Sequence, residues 1–353
     1  MKIIVIKPID TGKYEDMTDL FCKGLEKYCG HEIVKAPLIS EKGEIQKWQK
    51  DFNINDLKNS DLIWAPFEPL IPVALALKEH LHIPVVGHFE IMPPTRFSLD
   101  EINESFFRNI TVSHDRRGYH LLYKQYMDAY LKCDICTYLG NYERYNMERL
   151  HGNKIDKELY NEPYTINDEL FKELQLDSTT KNQVVSIFRL VSNKRCHHVI
   201  KAFSLLKNPP KYIIIGDGPD KMSLITYAKE LGVDIEFKGI ISDEEKAKII
   251  NESLFSVHPW ACLPVGECAY FNKVSICYFD PLLHKRLKDM VIFVENNNIQ
   301  KLADKMQELI DDKDKCIEYG IKANAELMNN RTDIFTVEEA SKRLNDIFKK
   351  VKK

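Results

Sequence analysis

Ser186-Ile187-Phe188-Arg189-Leu190-Val191-Ser192-Asn193-Lys194 is the stretch whose reading decides the fold. The apolar run Val184–Phe188 reads as a buried strand, two cations follow its carboxyl end, and Val199, Ile200, Phe203 and Leu206 then recur at helical spacing. Strand, cationic turn and helix in that order open a doubly wound α/β domain. In such domains ligands gather at the carboxyl ends of the strands, and helix N-termini offer N–H groups and partial positive charge to an anion. Arg189 and Lys194 are therefore candidates to grip a diphosphate; solvated surface cations are the plain alternative.

Downstream the alternation continues. Strands are expected at Tyr212–Ile215, Asp234–Phe237, Leu254–His258, Val274–Tyr278 and Val291–Val294, with helices between them. Ile215-Gly216-Asp217-Gly218-Pro219 is not a dinucleotide fingerprint, because Lys221 stands where the third glycine belongs and the motif follows the second strand of its domain. It reads as a tight strand-to-helix turn on the cleft side, with Pro219 at the first helical position. In Leu263-Pro264-Val265-Gly266-Glu267 the proline marks a helix start and puts Glu267 in the first turn. There the macrodipole favours a carboxylate, which can also accept hydrogen bonds from sugar hydroxyls. Capping boxes open helices at Ser242–Glu245 and Thr336–Glu339. The last helix carries Val337, Ala340, Leu344, Ile347, Phe348 and Val351 on one face, so it must dock on something.

Working back toward the start, the first half has the same βαβ pattern. Strands are expected at Ile3–Ile6, Glu32–Lys35, Leu62–Ala65, Pro84–His88 and Ile135–Leu139, and helices near Asp16–Tyr28, Pro69–His80, Tyr119–Leu131 and Tyr142–Leu150. Pro93–Asp115 breaks the alternation and reads as a long loop beside a cleft. Periodicity lapses again around Tyr160–Lys181. The expected organisation is an N-terminal Rossmann-like domain over 1–163, a linker over 164–183, a C-terminal Rossmann-like domain over 184–335 and a final helix over 336–353.

A chain of 353 residues suits two domains. Lys and Arg total 50 against 53 Asp and Glu, which leaves no electrostatic footprint of a nucleic-acid binder. No apolar run approaches the roughly eighteen residues of a spanning helix, and the N-terminus, Met1–Pro8, has too short an apolar run for a signal peptide and reads as a buried first strand. The nine cysteines then suit reduced thiols in the cytoplasm. Cys133 and Cys136 form a lone CxxC that reads as strand, with the two thiols on opposite faces. Aromatics and cations mix from Phe106 to Lys124, a composition that admits contact with a membrane surface or a lipid-linked acceptor. A solvated basic helix face accounts for it as well.

The order of pieces is more specific than any one of them. Arg189-Leu190-Val191-x-x-Lys194, then Ile215–Pro219, Phe237-Lys238-Gly239, His258-Pro259 and Leu263-Pro264-x-x-Glu267 resembles the retaining glycosyltransferases of the GT-B fold, most closely family 4, over residues 184–350. Thr11-Gly12, Pro84–His88 and Tyr164–Phe171 extend the resemblance more weakly into the first half. The resemblance implies two Rossmann-like domains facing across a cleft and a nucleoside-diphosphate sugar, UDP- or GDP-linked, as donor. It further implies a glycan, lipid-linked or small-molecule hydroxyl as acceptor, and no metal cofactor. Arg189, Lys194 and His88 would be the catalytic groups. Gly12, Gly216, Phe237, Lys238, Gly239, Pro264, Val265 and Glu267 would join the two cations in holding the donor. The chain departs from the family at Pro259, where a glutamate eight residues before Glu267 is usual, and at Phe188, where glycine usually precedes the arginine. Two other readings stay open: a non-catalytic nucleotide-binding or scaffold protein, and a sugar-nucleotide epimerase using His88, Glu90 or Asp115.

Overall fold

The computed structural model describes residues 1–8, 17–41, 44–48, 54–67, 70–89, 127–138, 144, 147–148, 154–174, 176, 179–260, 263–280, 284, 287–329, 332 and 334–351. Its first sheet contains β1 (Lys2–Pro8), β2 (Glu32–Glu41), β3 (Glu44–Trp48), β4 (Leu62–Ala65), β5 (Val85–Phe89), β6 (Ile135–Tyr138) and β7 (Leu159–Asn161) in the order β3-β2-β1-β4-β5-β6-β7. Every pair is parallel except β2 with β3. Unbroken apolar runs form its centre because both faces are covered. Ile3 and Val5 turn toward helix α1 (Met17–Cys29), Ile4 and Ile6 toward helix α2 (Ile71–Leu81), and all four have no exposed surface.

After β8 (Tyr164–Thr165) and helix α3 (Asp168–Glu173) comes the second sheet: β9 (Gln183–Ile187), β10 (Lys211–Ile215), β11 (Ile235–Gly239), β12 (Ser256–Val257), β13 (Ser275–Tyr278) and β14 (Val291–Val294). All its pairs are parallel, in the order β11-β10-β9-β12-β13-β14. Helices α4 (Cys196–Phe203), α5 (Lys221–Glu230), α6 (Asp243–Glu252), α7 (Pro264–Tyr270), α8 (Ile299–Asp311) and α9 (Lys313–Met328) alternate with these strands or follow them. The order reverses between β9 and β12, which makes their carboxyl ends the topological switch point, the place where such sheets bind ligands.

The chain crosses between the domains twice. Thr165 and Phe335 pair where β8 meets β15 (Ile334–Phe335), so the two crossings run side by side as a parallel ribbon. Helix α10 (Val337–Phe348) follows, its first amide at Val337 donating to Asp168 Oδ1 at 2.7 Å and Thr336 Oγ1 capping Glu339 N at 3.4 Å. The apolar face of α10 packs on the first domain. Trp64 lies edge-on between Phe21 and Phe348, with centroids 5.9 and 5.7 Å away. Gly24 lets α1 and α10 come this close, because a Cβ there would collide with Ser341 Oγ.

Two expectations change. The strand starts at Ile135, so Cys133 lies in the preceding turn, where strand alternation does not apply; both thiols lie in the same core cluster, and burial pushes the Cys136 thiol up to about 12. Pro219 sits in a turn two residues ahead of Lys221, the first residue of α5, and not within the helix. The loop Pro93–Asp115, the stretch Phe106–Lys124 and most of the helices expected at Tyr119–Leu131 and Tyr142–Leu150 fall outside the described residues.

Removing the Phe348 ring leaves a void beside Trp64 at the seam that ties the last helix to the first domain. Phe348→Ala should lower the unfolding free energy by about 3–5 kcal/mol, measured by urea titration with tryptophan fluorescence.

Candidate functional site

At the switch point the backbone leaves β9 through buried Phe188 and exposed Arg189, then makes a short 3₁₀ turn over Ser192–Lys194 that leads into α4. Arg195, at φ 54°, ends that turn and stands at the N-cap of α4, where no side chain caps the helix. Its guanidinium donates to Asn296 Oδ1 at 2.7 Å. Among the described residues neither Arg189 nor half-buried Lys194 belongs to an ion pair. The lysines around them do. Lys221 meets Asp217 at 3.0 Å, Lys238 meets Glu236 at 2.8 Å, and Lys246 meets Asp243 at 2.6 Å and Glu267 at 2.7 Å. Two cations without an ion pair among the described residues thus stand at the carboxyl end of β9, next to an uncapped helix start.

The glycines explain how that turn is held. A Cβ at Gly216 would collide with the carbonyl oxygen of Phe188, one at Gly218 with that of Leu190, and Gly216 also has φ +126°. Phe188 N donates to Ile215 O at 3.1 Å and Leu190 N to Asp217 O at 2.9 Å, so the ends of β9 and β10 lie backbone against backbone. Gly216 therefore serves first to seat the Arg189 segment. Gly239, at φ +72°, sits beside the Asp217–Lys221 pair, since a Cβ there would stand 3.9 Å from Asp217 Oδ2 and 3.8 Å from Lys221 Nζ. Phe237 packs into the core of the second domain, and Lys238 reaches from the other side of the strand toward Glu236 and Glu245.

From β12 the chain passes His258 and Pro259, both buried, to α7, which has Pro264 in its first turn, Val265 in the core and Glu267 almost fully buried. The His258 ring lies edge-on to Phe188, 6.2 Å between centroids, with Nε2 4.0 Å from Cys268 Sγ. Nδ1 has no hydrogen-bond partner among the described residues. Burial, and then the positive charge of Lys194, lower its pKa to about 3. Arg189, Lys194, Gly216, Gly239, His258 and Glu267 thus share the carboxyl side of one sheet.

His88 belongs to a second cluster, at the carboxyl end of β5. Its Nδ1 lies 2.9 Å from Thr137 Oγ1 and 3.0 Å from Glu162 Oε2, while Thr137 donates to Glu162 Oε2 at 2.7 Å. All three side chains are buried. Sequence reasoning missed Thr137 and Glu162: they sit on or just after strands far from His88 in the chain, and only the parallel register of β5, β6 and β7 brings them together. Gly12, Glu90 and Asp115 fall outside the described residues. Among those described, no group of three or more His, Cys, Asp or Glu is arranged to hold a metal ion, and no helix is long and apolar enough to cross a membrane.

Residues 167–325 match the family model described as glycosyl transferases group 1. No curated protein sequence matches the chain significantly. Among solved structures, sucrose-phosphate synthase from Thermosynechococcus elongatus is similar at a TM-score of 0.73 and 11% identity, covering 99% of this chain and 98% of that one. HepE from Anabaena, solved in complex with UDP-glucose, gives 0.69 and 14%, covering 99% of each. TarM from S. aureus, solved with UDP and α-GlcNAc-glycerol, gives 0.61 and 15% over 81% of this chain, which spans 55% of TarM's length. Along its whole length, then, the chain has the GT-B arrangement of two Rossmann-like domains.

Two outcomes follow from this geometry. Gly216→Ala forces both a steric collision and an unfavourable φ, and should cost at least about 2 kcal/mol in a denaturant titration. His258 is neutral when folded, and its pKa lies below the ordinary 6.5. Below pH 6.5 the unfolded chain therefore binds a proton that the native state does not, and stability falls until the pH nears the folded value. By pH 5 that loss is about 2 kcal/mol. Between pH 7 and 5, His258→Leu should gain this amount relative to the wild type in paired urea titrations.

Proposed function

We propose that the chain is a retaining glycosyltransferase that moves a hexose-type sugar from UDP or GDP onto a hydroxyl group without a divalent metal. That it is a glycosyltransferase rests on the group 1 domain at 167–325 and on a GT-B fold shared along its whole length. UDP-glucose in HepE and UDP in TarM favour a uridine donor. The observation that carries the mechanism is the pair of cations, Arg189 and Lys194, without carboxylate partners among the described residues at the switch point, while Lys221, Lys238 and Lys246 are neutralised.

As the glycosidic bond breaks, negative charge grows on the departing phosphate. Fixed cations and a helix N-terminus stabilise that charge without reorganising, which is where most of the rate enhancement in such sites arises. The acceptor attacks from the leaving-group face and the departing phosphate takes its proton, so the anomeric configuration is kept and no protein nucleophile is needed. Gly216 and Gly239 let the backbone approach the nucleotide, with Phe237, Lys238, Pro264 and Val265 shaping the walls and Glu267 accepting from the ribose. His88, oriented through Nδ1 by Thr137 and Glu162, is assigned to the donor sugar and the attacking hydroxyl. The acceptor is a glycan, a lipid-linked sugar or a small polyol, met in the cytoplasm or at the membrane surface.

A second reading, a nucleotide-binding protein without turnover, is favoured by one feature: Pro259 takes the place of the first family glutamate.

Thermal shift against UDP, GDP, ADP, TDP and CMP, in EDTA and in Mg²⁺, tests the donor site. One nucleotide at a hundred times its dissociation constant should stabilise the protein by about 2.7 kcal/mol in EDTA, and Arg189→Ala/Lys194→Ala should abolish the effect. Stabilisation only with Mg²⁺ rejects metal independence. No stabilisation by any nucleotide, from a folded protein, rejects the donor site, and binding without sugar transfer favours the second reading.

A further inference from the structure

Helix α6 places a lysine where its spacing calls for an apolar residue. Its buried positions are Ala247, Ile249 and Ile250, and Lys246 lies one turn before the last two, on the same face. The Lys246 side chain is 16% exposed, and its two partners are covered still more, Asp243 at 14% and Glu267 at 7%. Burial alone would lower the ammonium's pKa; Glu267 and Asp243 together outweigh it and hold the group above the usual lysine range. If the only task were to pack α6 against α7, an apolar side chain would serve without the desolvation that an ion pair incurs.

The ion pair does what an apolar contact cannot: it fixes one oxygen of a carboxylate. Lys246 donates to Glu267 Oε1 at 2.7 Å, and with no hydrogen bond to Oε2 among the described residues that oxygen is the acceptor offered to a ligand. The backbone beneath it is fixed as well. A Cβ at Gly266 would stand 2.6 Å from Ile334 Cγ2 and 3.2 Å from Ile166 Cγ2, so α7 is seated directly on the interdomain crossings. Asp243 supplies the second negative charge, so the triplet keeps one net negative charge, suited to accepting hydrogen bonds from neutral hydroxyls.

We propose that Lys246 is the positioning residue for Glu267: by holding one carboxylate oxygen it presents the other to a ribose hydroxyl and gives the site its preference for ribonucleotides over deoxyribonucleotides. This rests on the assignment of Glu267 to the ribose, made above. The test compares UDP with 2′-deoxy-UDP, and GDP with 2′-deoxy-GDP, by titration calorimetry on the wild type, Lys246→Met, Lys246→Gln and Glu267→Gln, with thermal melts to establish folding. The wild type should prefer its ribonucleotide at least about tenfold, the size expected of a hydrogen bond to a charged group. Lys246→Met should weaken that ribonucleotide about tenfold while leaving its deoxy analogue within about twofold, so the preference collapses as it does in Glu267→Gln. Lys246→Gln keeps one N–H donor and should fall between; it decides the matter if the Met variant does not fold. A wild type without the preference overturns the ribose assignment and this proposal with it. A preference lost in Glu267→Gln but kept in both Lys246 variants overturns this proposal alone.

Discussion

The parallel ribbon of β8 and β15 is the contact on which the rest of the molecule depends. Two separate passages of the chain leave one domain and enter the other, and pairing them backbone to backbone turns two flexible tethers into one joint. Asp168 strengthens the joint by accepting from the first amide of α10, a carboxylate at the positive end of a helix. Through α10 the joint reaches the aromatic seam around Trp64, and through Gly266 it reaches α7, the helix of Glu267. Any movement of one domain against the other therefore bends a segment that touches the candidate donor site.

Charge on the second domain is sorted, not scattered. Lys221, Lys238 and Lys246 each have carboxylates within salt-bridge distance, whereas among the described residues Arg189 and Lys194 at the end of β9 have none. Such sorting favours a dianionic leaving group in one place and neutral hydroxyls in another, because a paired cation attracts an incoming phosphate far less than an unpaired one. His258 belongs to the same pattern. Deeply buried next to Lys194, it stays neutral, and so does not add its own positive charge to those of Arg189 and Lys194.

The central strands were legible because a strand covered on both faces must be apolar throughout, and Ile3–Ile6, Leu62–Ala65 and Tyr212–Ile215 are. Strands of two or three residues, such as Leu159–Asn161 and Ile334–Phe335, are too short to show any period, and β3 is an antiparallel edge strand in a stretch where no strand was expected. Arg189 and Lys194 could be read as cations at a strand end, since that depends only on local order. That neighbouring lysines are neutralised could not, because Lys246 and Glu267 lie on different helices and meet only after folding. Gly216 and Gly218 stood out as glycines, but their partner surface, the carbonyls of Phe188 and Leu190, belongs to another strand.

Pro259 bears on where selectivity can reside. Its carbonyl accepts from Tyr278 N at 3.1 Å and its side chain is buried, so this position is tied into the sheet and offers the donor sugar no carboxylate. Recognition at the sugar must then come from elsewhere, and the first domain has a buried, hydrogen-bonded group suited to it in His88 with Thr137 and Glu162. In the proposed donor site, by contrast, the nucleotide half would meet residues of one domain, Arg189, Lys194, Gly239 and Glu267. A division of this kind separates affinity from sugar choice: the second domain would bind nucleotide on its own terms, while discrimination among sugars would require the first domain to close over it.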